Sequence, residues 1–261
     1  MENIIVTIIQ TSLFWESVDE NLNLFSEKIA AISEQTDLIV LPEMFNTGFS
    51  MNTKKLGEKS NGKTMQWLRE KAKEKNCCIA GSLIINENEK YYNRLVWMQS
   101  DGKYQSYDKR HLFRMGEENN FFSTGNKKII VELKGWKICP LVCYDLRFPV
   151  WSRNKNNYDC LLYIANWPER RNHHWKTLLQ ARAIENQCYV IGVNRIGNDG
   201  HEIFHSGDSG VIDPRGNLIC KTKANEDTTE TIVLNWNELE KYRTDFPVQM
   251  DADNFEIKLN D

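Results

Sequence analysis

The sequence predicts an α/β fold with mixed sheets covered by helices. Three observations carry this. Short apolar runs such as Ile4–Gln10, Asp37–Leu41 and Cys160–Ala165 read as strands, several of them buried on both faces. Amphipathic helical stretches alternate with those runs. Midway along the chain hairpins replace the alternation, and then it returns. The pattern does not decide between one twisted sheet and two stacked sheets.

Each element has a local reason. After the strand Ile4–Gln10, Ser17 and Glu20 form a capping-box pattern. Val18, Leu22, Phe25, Ile29 and Ile32 then repeat at helical spacing, so Ser17–Ser33 is expected to be a helix. Asp37–Leu41 is a strand that ends in Pro42-Glu43. A loop over Asn46–Gly62 leads to a helix capped by Thr64 and running to about Lys75. Cys77–Ile85 and Tyr91–Met98 are strands around the turn Asn86–Lys90, and Tyr104–Tyr107 follows through Ser100-Asp101-Gly102. Residues 110–126 are irregular. Lys127–Leu133 and Lys137–Val142 pair around Lys134-Gly135, and a helix is expected near Phe148–Arg153. Cys160–Ala165, a helix His174–Asn186 and Cys188–Asn194 follow. Asn198-Asp199-Gly200 is a turn. Gly210–Ile212 and Leu218–Lys221 flank the turn 213–217. Glu230–Asn235 is the last strand and Trp236–Thr244 the last helix. No repeat or linker divides the chain, which reads as one domain over 1–261 with a tail from about 246.

Composition narrows the function. With 261 residues and 41% apolar content, the chain can bury a substantial core. A net charge of −3 argues against a nucleic-acid or membrane-surface partner. No apolar run reaches the ~18 residues of a membrane span, and the N-terminus lacks a signal-peptide pattern. Seven cysteines without zinc-type spacing read as reduced thiols in a cytoplasmic protein. His173 and His174 are adjacent and point apart on a helix, so no metal is expected there. Gly197 and Gly200 flank a turn and make no phosphate loop.

Three stretches carry chemistry. The run Ile138–Val142 stops at Cys143, where a turn would expose the side chain and aim backbone N–H groups at a developing negative charge. Such a thiol is expected to have a lowered pKa. Taken alone, Cys143 is better explained as one more buried core cysteine. Glu43 sits at the tip of an apolar strand, where a carboxyl can serve as a base. Lys109 follows a strand-like stretch.

Together, Leu41-Pro42-Glu43, Tyr107-Asp108-Lys109-Arg110-His111-Leu112-Phe113 and Leu141-Val142-Cys143-Tyr144-Asp145-Leu146-Arg147-Phe148-Pro149 resemble the nitrilase superfamily of carbon–nitrogen hydrolases. The stretches Tyr163–Pro168, Gln180–Gln187 and Phe246–Asp253 resemble its omega-amidase branch, which hydrolyses the terminal amide of 2-oxoglutaramate-type acids. The resemblance implies a four-layer α-β-β-α sandwich of two mixed sheets, a homodimer and no cofactor. It implies Cys143 as nucleophile, Glu43 as base, and Lys109 with the Tyr144 backbone N–H as oxyanion holders. A second glutamate is implied beside the lysine, and spacing to Gly125 favours Glu118 over Glu117. Phe45, Tyr144, Asn166 and Trp167 are candidates for the pocket wall. Arg110, His111, Arg114, Arg170 and Arg171 are candidate partners for a substrate carboxylate, and Arg114 is taken as the substrate-binding one. Arg147 could serve too, although an ion pair with Asp145 holding the turn is the favoured reading. The alternatives are another nitrilase-type aliphatic amidase, an N-carbamoyl hydrolase, or an idle copy acting as an interaction module. No triad residue is missing, which weighs against the last.

Overall fold

The computed structural model describes residues 1–155 and 157–258, so the last three residues of the expected tail lie outside it. In chain order the elements are β1 (Ile4–Gln10), α1 (Val18–Ala30), β2 (Leu38–Val40), α2 (Thr53–Leu56), α3 (Lys63–Lys75), β3 (Cys78–Glu87), β4 (Lys90–Met98) and β5 (Tyr104–Asp108). Then come α4 (Glu118–Phe121), β6 (Val131–Leu133), β7 (Trp136–Val142), α5 (Pro149–Ser152), β8 (Cys160–Ala165), α6 (Asn172–Asn186) and β9 (Tyr189–Asn194). The chain ends with β10 (Ile196–Asn198), β11 (Phe204–Ser206), β12 (Gly210–Ile212), β13 (Leu218–Lys221), β14 (Thr228–Leu234) and α7 (Trp236–Asp245).

Two six-stranded sheets form, in the orders β14-β1-β2-β3-β4-β5 and β13-β12-β9-β8-β7-β6. Both mix parallel and antiparallel pairs: β1–β2, β2–β3, β7–β8 and β8–β9 are parallel, and the outer pairs are antiparallel. Strand alternation assigns the faces. Leu38 and Val40 join Ile4, Val6, Ile8, Leu95 and Trp97 in a core shared with Ile138, Leu162 and Ile191 of the other sheet. Ile39 and Leu41 point the other way, against Phe25 and Ile29 of α1 and Leu68 of α3. On the far side, Leu179 and Trp175 of α6 press on Gly192 of β9, where a Cβ would meet Leu179 at 2.5 Å. The layers therefore run helix, sheet, sheet, helix. This is the four-layer sandwich, and it settles the choice between one sheet and two.

Several local expectations shift. α1 is shorter than Ser17–Ser33, and the Ser17 side chain makes no cap hydrogen bond. Asn21 fastens the entry instead: its Oδ1 accepts from Phe14 N at 2.8 Å, and its amide donates to the Phe14 and Asn46 carbonyls. Thr64 lies inside α3, whose first turn is closed by Glu58 Oε2 accepting from Thr64 N at 2.8 Å. The strand expected over Lys127–Leu133 keeps only Val131–Leu133. Around Asn198-Asp199-Gly200 the chain builds a hairpin, β10 with β11, that lies outside both large sheets.

Phe45 corrects a site expectation. It is fully buried on the helix side of the first sheet, 5.5 Å from Phe25 and 5.7 Å from Trp67 between ring centroids. Gly81 makes room for it, since a Cβ there would lie 2.8 Å from the ring. The segment after Glu43 coils tightly, with Met44 at φ 45° and Gly48 at φ 73°, so Phe49 and not Phe45 faces the site. Phe45→Ala is expected to cost about 3–5 kcal/mol of unfolding free energy. Half-buried Phe49→Ala should cost less than half as much. Urea melts check the ranking, and the reverse order would return Phe45 to the pocket wall.

Candidate active site

Cys143 stands where β7 stops, between β8 and the edge strand β6 of the second sheet. Its φ is 45°, a left-handed conformation that costs a non-glycine residue about 1–2 kcal/mol. The bend swings the side chain out of the sheet and into a 3₁₀ turn, Cys143–Arg147. Buried Asp145 holds that turn. Its Oδ2 accepts from Val142 N (3.1 Å) and from the Tyr107 hydroxyl (2.8 Å). Its Oδ1 accepts from His111 N (3.0 Å) and lies 2.7 Å from His111 Nδ1. Tyr107 belongs to β5 and His111 follows it. Asp145 thus ties the cysteine turn to the strand end that carries Lys109.

The expected pairing of Asp145 with Arg147 does not form, because backbone and β5 groups already occupy the carboxylate. Arg147 instead lies over the Trp167 ring at 5.0 Å, its Nη2 2.9 Å from His174 Nδ1.

Glu43, Lys109 and Glu118 form a buried ion triad. Lys109 Nζ is 2.8 Å from Glu43 Oε1 and 2.9 Å from Glu118 Oε2, and all three side chains are shut off from solvent. Every carboxylate oxygen has a partner. Asn93 Nδ2 donates to Glu43 Oε1 (2.8 Å) and to Glu118 Oε1 (3.1 Å). Asn166 N donates to Glu43 Oε2 (2.8 Å), and Phe113 N to Glu118 Oε2 (2.6 Å). Glu117, by contrast, is an exposed residue with φ 56° at the start of α4. Gly125 permits the close crossing of the 110–126 loop over β5, because a Cβ there would lie 2.0 Å from the Asp108 carbonyl oxygen.

These surroundings set the charges. Burial works against a charged Lys109, yet Glu118 and Glu43 outweigh it and raise the lysine above its ordinary pKa. Burial pushes the Glu118 carboxyl up against the pull of Lys109. Burial, and then Glu43, push the Cys143 thiol well above its ordinary value. The lowered thiol pKa expected from the strand-end position is therefore overturned. A short 3₁₀ turn supplies too little positive potential to offset two carboxylates and a buried sulfur. At rest the site holds a neutral thiol, a lysine fixed as a cation and a base-capable carboxylate.

Cys143 and Lys109 open onto a cavity of about 130 Å³. Tyr144, Asn166 and Trp167 line it, as do Arg147, Arg170 and Arg171. Arg114 does not: it is exposed, while its neighbours Phe113 and Met115 line the cavity, Met115 from an exposed position at the rim. Arg110 is spent on the Gly125 carbonyl (3.1 Å) and the Trp151 ring, and His111 on Asp145. The sequence reading missed Asn93, Phe49 and the β10–β11 hairpin, which brings Asp199, His201 and His205 to the rim. The sequence gives little signal for Asn93, which sits beside charged Arg94 in the strand Tyr91–Met98.

The carbon-nitrogen hydrolase family model matches residues 5–244. The chain belongs to that family. It is 44% identical over 257 residues to the omega-amidase YafV of Escherichia coli K12, covering 98% of this chain and 100% of that one. It is 34% identical to a 2-oxoglutaramate amidase of Bacillus subtilis, over 83% of this chain and 85% of that one. The crystal structure of XC1258 from Xanthomonas campestris, a CN-hydrolase superfamily protein with an arsenic adduct in its active site, superposes with a TM-score of 0.97. It shares 38% identity and covers 99% of this chain and 100% of its own.

Two glutamates adjacent in sequence make a sharp contrast for this hydrolase. Glu118→Gln removes a charge partner of Lys109 and is expected to lower kcat at least 100-fold, about 3 kcal/mol of barrier. Glu117→Gln should stay within twofold. Steady-state ammonia release checks the ranking.

Proposed function

We propose that this hydrolase is an omega-amidase, converting small 2-oxo acid amides such as 2-oxoglutaramate and 2-oxosuccinamate to the dicarboxylate and ammonia. The observation that carries the reading is a thiol and a carboxylate-flanked lysine opening onto a small cavity walled by arginines. The similarity to YafV and to the Bacillus subtilis enzyme supports the substrate class.

In this mechanism Glu43 takes the Cys143 proton as sulfur attacks the amide carbon, which reconciles a high thiol pKa with nucleophilic chemistry. Lys109 and the Tyr144 N–H hold the oxyanion. Glu118 keeps Lys109 charged and in place. As the tetrahedral species collapses, Glu43 returns the proton to the leaving nitrogen. Ammonia departs and a thioester remains. Water, deprotonated by Glu43, then attacks the thioester, and the thiol re-forms. No cofactor enters any step.

Arg147, half-buried against Trp167, is suited to the substrate carboxylate, and Arg170 and Arg171 extend the same wall. Arg114 drops out of that role. We read the chain as one catalytic domain over 1–261, working as a homodimer in a reducing, cytoplasmic setting where its seven unpaired cysteines persist. No helix among the described residues is long and apolar enough to cross a membrane. Light scattering that finds monomer alone at micromolar concentration contradicts the dimer.

Leaving a carboxylate-reading group unpaired costs about 1–3 kcal/mol. Neutral butyramide is therefore expected to be hydrolysed at least tenfold less efficiently than 2-oxoglutaramate. An ammonia-release panel tests this. Equal rates would make a general aliphatic amidase the better description.

A further inference from the structure

The cavity wall carries more positive charge than one substrate carboxylate needs. Arg147 comes from the turn after Cys143, and Arg170 and Arg171 from the 3₁₀ turn Glu169–Arg171 after β8. None of the three is neutralised by an acid: the arginine ion pairs among the described residues belong to Arg94, Arg182 and Arg243. Arg171 lies over the Phe113 ring at 5.4 Å. Burial, then Arg170 and Arg147, lower its pKa, so the three guanidinium groups feel one another. Asp199 is the acidic side chain on this wall among the described residues. Its Oδ1 already accepts from His201 N (2.8 Å) and Ile203 N (3.0 Å). Lys109 adds no unpaired positive charge to this wall, being held between Glu43 and Glu118.

We propose that Arg171, with Arg170 and Arg147 beside it, rejects amides that carry an α-ammonium, so that glutamine-type acids are excluded by charge and not by size. The inference rests on the omega-amidase reading and deepens it. A 2-oxo acid amide and the matching amino acid amide have the same chain length and the same carboxylate. They differ at C2, one bond from that carboxylate, where one carries a neutral oxygen and the other a cation. A carboxylate drawn to the arginines carries its C2 substituent into the same field. Like charges a few ångströms apart in a partly dry cavity repel strongly. The ketone pays no such cost.

Glutaramate and glutamine isolate the effect, because they differ only in replacement of a C2 hydrogen by the ammonium. The wild-type kcat/KM for ammonia release is expected to favour glutaramate by well over tenfold. In Arg171→Gln both substrates should weaken through lost carboxylate attraction, but their ratio should narrow at least fivefold. Arg171→Lys, which keeps the charge, should leave the ratio within twofold. Arg170→Gln, on an exposed side chain, should narrow it in the same direction. An unchanged ratio in Arg171→Gln and Arg170→Gln, or a wild type that hydrolyses both acids equally, overturns the inference. Wild-type turnover of 2-oxoglutaramate separates the two levels. If it is present with an unchanged ratio, this inference alone falls; if it is absent, the omega-amidase reading falls and takes the inference with it.

Discussion

The site depends on one buried cation. The Lys109 side chain is buried, and a lone ammonium in that position would be strongly disfavoured. Glu43 and Glu118 on either side keep it charged. The two carboxylates would in turn repel each other without the lysine and without Asn93, which donates to both. Breaking a buried pair by removing one partner typically costs about 3–5 kcal/mol. The triad is therefore a constraint on the fold as well as a catalytic device. It holds together the ends of β2 and β5, the 110–126 loop and the loop after β8, through Glu43, Lys109, Glu118 and Asn166. Asp145 adds the cysteine turn to the same frame through Tyr107 and His111.

That frame explains how a thiol can work in a site that disfavours its ionised form. A free thiolate beside two carboxylates is held down by burial and by like charge. Proton transfer to Glu43 during attack avoids that state, since charge passes from carboxylate to the oxyanion that Lys109 faces. The left-handed turn at Cys143 stores a small strain. In return, Cys143 lines the cavity rather than packing in the sheet.

Much of the fold was legible in the sequence because strand alternation is a physical signal. Leu38, Ile39, Val40 and Leu41 split between two cores as their period requires. The positions of Glu43, Lys109 and Cys143 at strand ends could be read for the same reason. What could not be read depends on backbone turns with no periodic signature. The coil through Met44 and Gly48 exchanges Phe45 for Phe49. The left-handed residue at Glu117 turns that side chain to solvent and sends Glu118 to Lys109. Arg114 is turned away from the cavity between two residues that line it. The β10–β11 hairpin is long-range in its effect, because four residues of its connection and second strand reach a cavity built by other elements. The upward direction of the Cys143 pKa comes first from burial and then from Glu43, and a strand-end position alone reveals neither.

The central claim is that Cys143, with its proton drawn off by Glu43, is the nucleophile. Substoichiometric iodoacetamide followed by peptide mapping, with ammonia release measured on the same samples, tests it most directly. Cys143 is buried to the level of 9% exposure, whereas Cys220 is the more accessible thiol. The account predicts that the first label appears on Cys143, that activity falls one-for-one with it, and that Glu43→Gln slows the labelling. Activity lost in step with labelling of Cys220, or of any other cysteine, while Cys143 stays unmodified would contradict it.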